Sequence, residues 1–320
     1  MSTVEVLAGG VHCSVQDLGR PGFRAAGVPA GGAMDRFALS AANLLVGNAA
    51  EAAGLEILLG GLALKFHAVV TICVTGADLA ARLDGADIGT WAPLAVHGGQ
   101  VLHFTGRRSG SRAYLSVAGG IDVAPVLRSR STYLPGGWGG FQGRPLEAGD
   151  KLAVGDRRAP SSVRRWLPPE NRPPYSGFPT LRSVAGPHTE HFSADTLETF
   201  FGGVYRLEPA SDRMGYRLVG PALGDDRREA LASCGVLPGA VQVPASGGPI
   251  LLMADAQTTG GYPIIAVVIG ADLPLAAQLI PGDRLRFTPV TVEAAQRAAR
   301  ARQADLAALL EDENVICAPV

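Results

Sequence analysis

Glycine and proline interrupt this sequence every few residues, and the apolar stretches between them are short. Together they make up about a fifth of the 320 residues, with 42 glycines and 23 prolines. Because both residues favour turns, the pattern predicts many short strands joined by tight turns. One unit recurs at residues 61–66, 99–104, 149–154 and 282–287: glycine, two residues, leucine, one residue and a large apolar residue. A turn leading into a strand with alternating faces has this spacing, so we expect a mainly β chain.

The longest irregular stretch, within residues 16–48, leads into a predicted helix. Its first half is rich in glycine and proline, which exclude regular structure there. Asp35 can cap a helix over residues 35–46, and Gly47 can end that helix in the left-handed conformation. Long loops within compact domains are uncommon unless they have a function. We therefore place candidate binding residues in this stretch, Arg20 and Asp35 among them.

Composition changes divide the chain into four segments. Residues 1–156 form a β-rich N-terminal domain. Residues 157–180 contain six prolines and five arginines, which exclude a helix interior and a central strand and predict an extended linker. Residues 181–290 form a second β-rich domain, with a helix expected after Ser193. Residues 291–320 form a C-terminal helix and tail, suited to packing or to contact with other subunits.

Composition also excludes several broad classes of protein. No run of eighteen or more residues lacks charges or prolines, so we expect no membrane span. The net charge of −1 gives no general attraction to nucleic acid or anionic lipid. The first residues lack the basic patch and apolar block of a signal peptide. Because the four cysteines lie far apart, we predict a cytoplasmic protein with reduced thiols.

Several familiar catalytic motifs are absent from the sequence. It has no GxxxxGK(S/T) phosphate loop and no GxSxG nucleophile turn. The glycine-rich run at 136–143 departs from the dinucleotide fingerprint and precedes no helical sequence, so it predicts a connection between strands. His188 and His191 lack a third ligand, so we predict no metal site. Lys65 and Lys151, the two lysines, lack the Met-Lys-Met setting that carries covalent biotin.

Three polar, glycine-punctuated clusters remain as candidate sites. Besides the stretch at 16–48, they are residues 211–217 and residues 255–263. Glycines in such loops let backbone amides approach a ligand closely. Arginine forks suit carboxylate, carbamate or phosphate oxygens, and Arg112 and Tyr114 add further donors near the middle of the chain.

Each cluster also has a purely structural explanation. Asp35 can act only as a helix cap. Arg213 can pair with Asp212 across a turn. Residues 257–259 can satisfy backbone groups at a strand end, and residues 128–132 can form a solvated connection. The occurrence of all the clusters in one chain nevertheless favours a binding or catalytic role.

Motifs between about residues 4 and 288 together resemble one family. They are QDLGRPGF, GVPAGGAMDRFALSAANLLVGN, LEILLGGLALKF, VTGAD, AYLSVAGGID, SRSTYLPGGWGG, SDRMGYRL and DAQTTGGYPIIAVVIGADLPLAAQLIPGD. They are similar to the biotin-dependent carboxyltransferase-like family, which includes KipA, allophanate hydrolase subunit 2 and the C subunit of 5-oxoprolinase. The resemblance implies two cyclophilin-like β-barrel domains, in agreement with the mainly β pattern.

The family resemblance implies three different activities. Members similar to the C subunit of 5-oxoprolinase act with a LamB-like A subunit and a KipI-like B subunit, converting 5-oxo-L-proline to L-glutamate with ATP hydrolysis. In urea amidolyase a similar domain transfers CO2 from biotin to urea, and KipA is associated with regulation of a sporulation kinase. We expect the first activity here, in a complex that uses ATP and Mg2+ and with no covalent biotin on this chain. The alternatives are a carboxyltransferase subunit of a biotin-dependent urea carboxylase/allophanate system and a KipA-like regulatory protein without catalysis.

The expected reaction assigns roles to the polar clusters. A lactam is a resonance-stabilised amide, so its opening requires activation, and the site must stabilise phosphoryl charge and hold a carboxylate. The expected catalytic residues are Asp35, Arg213 and Asp255. The expected substrate-binding residues are Arg20, Arg112, Tyr114, Gln257, Thr258, Thr259, Gly260 and Gly261. We expect activity only in the complex.

Overall fold

The computed structural model describes residues 2–155, 166–224 and 231–310. Residue 156, the first part of the expected linker (157–165) and the last part of the expected C-terminal segment (311–320) lie outside this range. The chain forms two compact units: the first comprises Met1–Arg20, Gly31–Pro174 and Gln303–Val320, and the second comprises Pro21–Ala30 and Tyr175–Arg302. The division expected from composition places residues 166–174 in a linker and residues 21–30 in the first domain, so the two divisions differ there.

The first unit is built from two antiparallel sheets. One has the strand order β11-β12-β1-β4-β9-β6-β7 and the other β2-β3-β10-β5-β8. The strands of the first sheet are β1 (Thr3–Gly9), β4 (Leu62–Phe66), β6 (Ala81–Leu83), β7 (Ala86–Asp87), β9 (Val101–Phe104), β11 (Ile121–Asp122) and β12 (Lys151–Val154). Those of the second are β2 (His12–Gln16), β3 (Gly54–Leu58), β5 (Val70–Asp78), β8 (Pro93–Val96) and β10 (Ser109–Val117).

The two sheets of the first unit share a single apolar core. Because side chains alternate along a strand, every second residue of the central strands points between the sheets. The resulting cluster of buried side chains includes Val6, Leu64, Ile57, Ile72 and Leu115. Burial of this apolar surface is the main force that holds the sheets together.

The long loop ends at α1 (Arg36–Leu45), close to the predicted bounds. Asp35 caps this helix, because its Oδ1 accepts the Ala38 N–H at 2.9 Å. Gly47 follows the helix with φ +81°, as predicted. α1 packs against β5 and β10, and the Thr75 hydroxyl on β5 donates to the Ala38 carbonyl at 2.7 Å.

Residues 166–174 are held in the first unit by Arg172. Its guanidinium carbon lies 5.5 Å from the ring centroid of Trp91 and 5.6 Å from that of Trp166. Its Nε–H donates to the Leu167 carbonyl at 2.8 Å, and the Leu167 N–H donates to the Trp91 carbonyl at 3.0 Å. These contacts explain why the segment belongs to the unit that contains Trp91.

The second unit contains a closed seven-stranded barrel with the order β13-β20-β17-β18-β15-β14-β21. β13 and β21 pair in parallel, and the other neighbours are antiparallel. The barrel strands are β13 (Thr180–Ala185), β14 (Tyr205–Leu207), β15 (Gly215–Val219), β17 (Ala240–Gln242), β18 (Ile250–Leu252), β20 (Ile264–Val268) and β21 (Arg284–Pro289). A separate two-stranded ribbon consists of β16 (Cys234–Gly235) and β19 (Thr259–Gly260).

The four glycine-led repeats form the turns and strands predicted for them. The glycines stand before β4, β9, β12 and β21, and their φ angles are +80°, +95°, +94° and +96°. Only glycine adopts these angles without strain. The repeats therefore mark strand entries in both units, and the mainly β class predicted from them is confirmed.

Three further α-helices occur in the described part of the chain: α2 (Ala194–Gly202), α3 (Leu273–Ala277) and α4 (Val292–Ala307). Ser193 caps α2 as predicted, its hydroxyl accepting the Thr196 N–H at 3.2 Å. α4 is the predicted C-terminal helix, and Val292 at its start is exposed. None of the described helices is long and apolar enough to cross a membrane.

An aromatic stack fills part of the core of the second unit. The rings of Phe200 on α2 and Phe287 on β21 stack with centroids 4.6 Å apart, and Tyr205 lies 6.0 Å from Phe200. Phe200 is fully buried. α2 is therefore fastened to the barrel chiefly by one side chain.

Replacement of Phe200 by alanine is expected to lower the free energy of unfolding by about 3–5 kcal/mol, because it leaves a cavity beside Phe287. Urea denaturation followed by far-ultraviolet circular dichroism measures the change. Leu237→Ala is the matched control, since that side chain is 51% exposed and its loss should change stability by less than about 0.5 kcal/mol. Equal effects of the two substitutions would contradict the role given to the stack.

Candidate functional site

The long loop of the first unit is fastened by the carboxylate of Asp17. This group accepts the backbone N–H of Gly19 at 2.7 Å and that of Arg130 at 2.5 Å. It also accepts the hydroxyl of Ser129 at 2.7 Å and that of Ser131. Four donors from two distant loops thus converge on one carboxylate. The run at 128–132, for which a solvated connection was the alternative, is in part buried and is bound to Asp17.

Arg20 is fully buried and contacts the same run of residues. Its Nη2–H donates to the Ser131 carbonyl at 2.6 Å, and its guanidinium carbon lies 4.5 Å from the ring centroid of Trp138. A Cβ at Gly139 would lie 2.2 Å from the Ser131 carbonyl oxygen, so only glycine permits this approach. The position of Arg20 supports a role in fixing the loops, and its predicted contact with substrate stays a prediction.

Asp35, Arg112 and Tyr114 come together around Glu56, a residue that the sequence analysis missed. Oε2 of Glu56 accepts the Tyr114 hydroxyl at 2.7 Å and the Met34 N–H at 2.8 Å. The Tyr114 oxygen in turn accepts the Asp35 N–H at 2.7 Å. Nε of Arg112 lies 3.8 Å from Oε1 of Glu56. The start of α1 is therefore tied to β3 and β10 by a buried chain of hydrogen bonds.

The protonation states in this cluster follow from its burial. Desolvation, together with the nearby charges of Glu56 and Asp35, raises the pKa of the Tyr114 phenol well above its usual value. The phenol therefore stays protonated and donates to the Glu56 carboxylate. Burial also raises the pKa of the Cys13 and Cys73 thiols, which keeps both unreactive.

In the second unit, Arg213 and Asp255 form a two-pronged ion pair. Nε and Nη2 of Arg213 lie 2.8 and 3.2 Å from the two carboxylate oxygens, and the Asp255 N–H donates to the Arg213 carbonyl at 2.9 Å. Both side chains are buried. The alternative partner Asp212 instead accepts the N–H groups of Met214 and Gly215 at a turn. The partner of Arg213 thus lies 42 residues away in the sequence.

The predicted substrate loop follows Asp255 and is held at both ends. Its far end forms β19, where Thr259 and Gly260 pair with β16, and the Thr258 carbonyl accepts the Val236 N–H at 3.0 Å. These contacts are made by the backbone, so the structural role considered for the threonine side chains stays a prediction. A neighbouring residue, Gln242, was not predicted.

Gln242 on β17 is buried and meets Gln257 of this loop. Nε2 of Gln257 donates to Oε1 of Gln242 at 3.3 Å. A Cβ at Gly260 would lie 2.6 Å from Nε2 of Gln242, so a larger residue there would displace this amide. Gly261 follows directly and has backbone angles that other residues also adopt. Two neutral amides, one on the loop and one on β17, therefore meet at this point.

The predicted site residues thus form two groups, one within each unit. The first unit holds Asp35, Arg20, Arg112 and Tyr114, and the second holds Arg213, Asp255 and the loop at 257–261. Among the described residues, no group of three or more histidine, cysteine, aspartate or glutamate side chains is arranged to hold a metal ion. Glu56 was detectable as a lone carboxylate in an apolar strand, whereas nothing in the sequence marks Gln242.

The glycine-rich turns of the first unit do not suit a phosphate. A Cβ at Gly143 would lie 2.1 Å from the Gly137 carbonyl oxygen, and a Cβ at Gly139 would lie 2.2 Å from the Ser131 carbonyl oxygen. Phosphate sites present backbone N–H groups to the anion, whereas here carbonyl oxygens occupy the space. The space beside these two glycines therefore has no room for a phosphate group.

Comparisons with known proteins agree on one family. The model of the carboxyltransferase domain, subdomain A and B, matches residues 26–289. The C subunit of 5-oxoprolinase from Escherichia coli is 41% identical over 97% of this chain and 100% of its own length. The protein of the same name from Haemophilus influenzae is 37% identical over 93% and 94%.

A solved structure is also similar over almost the whole chain. The urea amidolyase of Kluyveromyces lactis superposes with a TM-score of 0.92 at 32% identity, covering 99% of this chain and 20% of that one. This chain thus corresponds to one part of a much longer protein in that case.

Tyr114→Phe is expected to lower the free energy of unfolding by about 1–3 kcal/mol, because the Glu56 carboxylate and the Asp35 N–H each lose a buried partner. Chemical denaturation measures the change. Tyr262→Phe serves as the control, since Tyr262 is half exposed and its substitution should be neutral. If both variants unfold like the unmodified protein, the hydrogen-bond chain does not stabilise the first unit.

Proposed function

We infer the function of this chain from its family: it belongs to the carboxyltransferase domain family, subdomain A and B. We propose that it is the C subunit of a 5-oxoprolinase, which converts 5-oxo-L-proline to L-glutamate together with the A and B subunits in the cytoplasm. The observation that carries this proposal is the match to the Escherichia coli protein of that name, at 41% identity over nearly all of both chains.

ATP and Mg2+ are proposed to be bound elsewhere in the complex. Carbonyl oxygens occupy the space beside Gly139 and Gly143, and the described residues include no group of three or more histidine, cysteine, aspartate or glutamate side chains that could hold a metal ion. ATP would supply the activation that the stable lactam amide requires. This chain's contribution is then to bind and orient the lactam.

The loop at 257–261 is the part of the second unit best suited to a lactam. A lactam presents a C=O and an N–H on the same side of its ring, and an amide side chain offers the complementary donor and acceptor. Gln257 is partly exposed, and its contact with Gln242 fixes its orientation. We propose that Gln257 binds the lactam and that Thr258, Thr259, Gly260 and Gly261 shape the loop around it.

The Arg213–Asp255 pair is proposed to position this loop. Asp255 stands two residues before Gln257, and its buried contacts with Arg213 fix the start of the loop. Placement of groups within fractions of an ångström controls catalytic rates strongly. Arg112 and Asp35 are held in similarly fixed positions in the first unit. We propose that these two residues take part in substrate binding or catalysis only in the assembled complex.

Gln257→Ala is expected to lower kcat/KM for 5-oxoproline by about tenfold to a hundredfold, because one buried donor–acceptor pair to the substrate is lost. The chain is co-expressed with its A-like and B-like subunits, and glutamate release and 5-oxoproline-dependent ATP hydrolysis are measured. Gln296→Ala on the exposed α4 is the matched control and should leave both rates unchanged. The absence of any 5-oxoproline-dependent ATP hydrolysis by the unmodified complex would contradict the proposed function.

Asp255→Asn is expected to reduce kcat by about tenfold or more while the purified complex stays intact, because the loop loses its fixed start. KM, kcat and the composition of the complex are measured together. A thermal melt accompanies them, since the substitution leaves the Arg213 charge buried without its counterion. A variant that remains folded, assembled and fully active would remove the pair from the site.

A second candidate is favoured by the urea amidolyase superposition, with its TM-score of 0.92. In that case the chain is a carboxyltransferase subunit whose substrate is urea, with biotin on a separate carrier protein. The same complex supplied with urea and a carrier whose biotin already holds the CO2 group distinguishes the two candidates, since a carboxyltransferase transfers that group to urea, whereas a 5-oxoprolinase hydrolyses ATP only with 5-oxoproline. A KipA-like regulatory protein would bind its partner and support turnover of neither.

A further inference from the structure

Three arginines share the outer face of the barrel in the second unit. Arg206 on β14 stands directly opposite Arg284 on β21. Arg286 lies two residues further along β21 and so points to the same side, while Leu285 between them is buried. All three arginines are exposed. Directly opposed residues lie about 5 Å apart and alternate residues about 7 Å apart, so three cations occupy one small surface.

Phe178 lies between two of these cations. The guanidinium carbons of Arg284 and Arg286 lie 4.7 and 4.8 Å from its ring centroid, and the side chain is 36% exposed. Its position is fixed by the backbone, because the Arg284 N–H donates to the Gly177 carbonyl and the Arg286 N–H to the Pro179 carbonyl. We call these four residues, Phe178, Arg206, Arg284 and Arg286, the arginine face.

The three arginines of the arginine face are not paired with an acid at close range. No ion pair within 4.0 Å involves its three arginines in that part of the chain, whereas Arg182 on the neighbouring β13 is paired with Asp272 at 2.6 Å. Asp283, next in sequence to Arg284, accepts the Ile280 N–H with its Oδ2. Like charges directly opposite each other destabilise a sheet.

Protection of a sheet edge does not explain the opposed charges. Exposed charges often protect an edge strand from unwanted pairing, but β14 and β21 belong to a closed barrel and both have neighbours on each side. The directly opposed arginines therefore repel each other without protecting an edge, and a bound acidic ligand would relieve that repulsion.

We propose that the arginine face is a docking surface for an extended acidic segment of a partner protein. Carboxylates on alternate residues of an extended chain are about 7 Å apart, the same as the spacing from Arg284 to Arg286. Each guanidinium can hold a carboxylate by two hydrogen bonds, and the methylene groups of glutamate can pack on Phe178. The outward face of a barrel suits a polypeptide better than a nucleotide, which needs a concave pocket. The proposal goes beyond the enzymatic function and holds for either candidate activity.

Two peptide probes of equal composition test the spacing. One carries glutamate and threonine in alternation, and the other carries the same glutamates in one block. The full chain should bind the alternating peptide more tightly than the block peptide, with an affinity that falls as salt is raised. Arg284→Glu/Arg286→Glu should weaken binding of the alternating peptide by about tenfold or more. The matched control, Arg297→Glu/Arg300→Glu on the exposed α4, should not change it.

The outcomes separate this proposal from the enzymatic one. Equal peptide binding by the unmodified chain and the Arg284→Glu/Arg286→Glu variant overturns the docking surface, whatever the complex hydrolyses. Binding to phosphatidylserine vesicles with no preference for the alternating peptide also overturns it, because the ligand is then a lipid surface. Loss of a co-expressed partner protein from the double variant alone supports it. Peptide binding as predicted, without 5-oxoproline-dependent activity, supports the surface and rejects the enzymatic function.

A stability measurement completes the test. Arg206→Thr removes the opposed like charge and keeps a strand-forming residue, so the melting temperature of the free chain should stay the same or rise while peptide affinity falls. A lower melting temperature would show that Arg206 serves the fold, and would overturn its place in the docking surface.

Discussion

Buried carboxylates hold the irregular backbone of the first unit, and the surrounding structure depends on them. A loop rich in glycine and proline brings N–H groups into the interior that no helix or sheet satisfies, and each unpaired one costs about 1–3 kcal/mol. Asp17 accepts hydrogen bonds from two loops, and Glu56 accepts them from the Met34 N–H before α1 and from the Tyr114 phenol. Because each acid serves several donors, loop, helix and strands form one connected network. Loss of either acid would leave several buried groups unpaired at once.

The same pairing limits what this chain can do by itself. Arg20 interacts with a carbonyl and an indole ring, and Arg213 with a carboxylate. Guanidinium groups engaged in this way contribute mainly to positioning, and carbonyl oxygens occupy the space beside Gly139 and Gly143 in the glycine-rich run at 136–143. The amide of Gln257 is the better-placed group for a neutral cyclic amide. An activity that needs phosphoryl transfer therefore requires groups from other subunits, consistent with proposing this chain as one member of a complex.

Local features of the fold were predictable from the sequence, and pairings between distant residues were not. The glycine-led repeats, the cap at Asp35 and the cap at Ser193 depend on residues within one turn of each other, so their chemistry is visible in the sequence. The contact of Tyr114 with Glu56 spans 58 residues and depends on the register of β3 against β10. The sequence likewise offers the neighbouring Asp212 as a partner for Arg213, whereas the structure pairs it with Asp255. Apolar alternation predicts that strands form, but not which buried polar residues their pairing brings together.

The arginine face illustrates how a stability cost reveals a function that the active site does not require. Most charged pairs on the described surface of this chain join opposite signs, as Arg82 with Asp87 does, whereas β14 and β21 place two arginines in register. In a closed barrel such a pair neither protects an edge nor contributes to the core. The repulsion between the two arginines falls when an acidic segment binds, and this lowers the free energy of the bound state relative to the free state. The sequence shows Arg284 and Arg286 as an alternating pair, but Arg206 and Phe178 join them only through the closure of the barrel, which brings together residues far apart in the sequence.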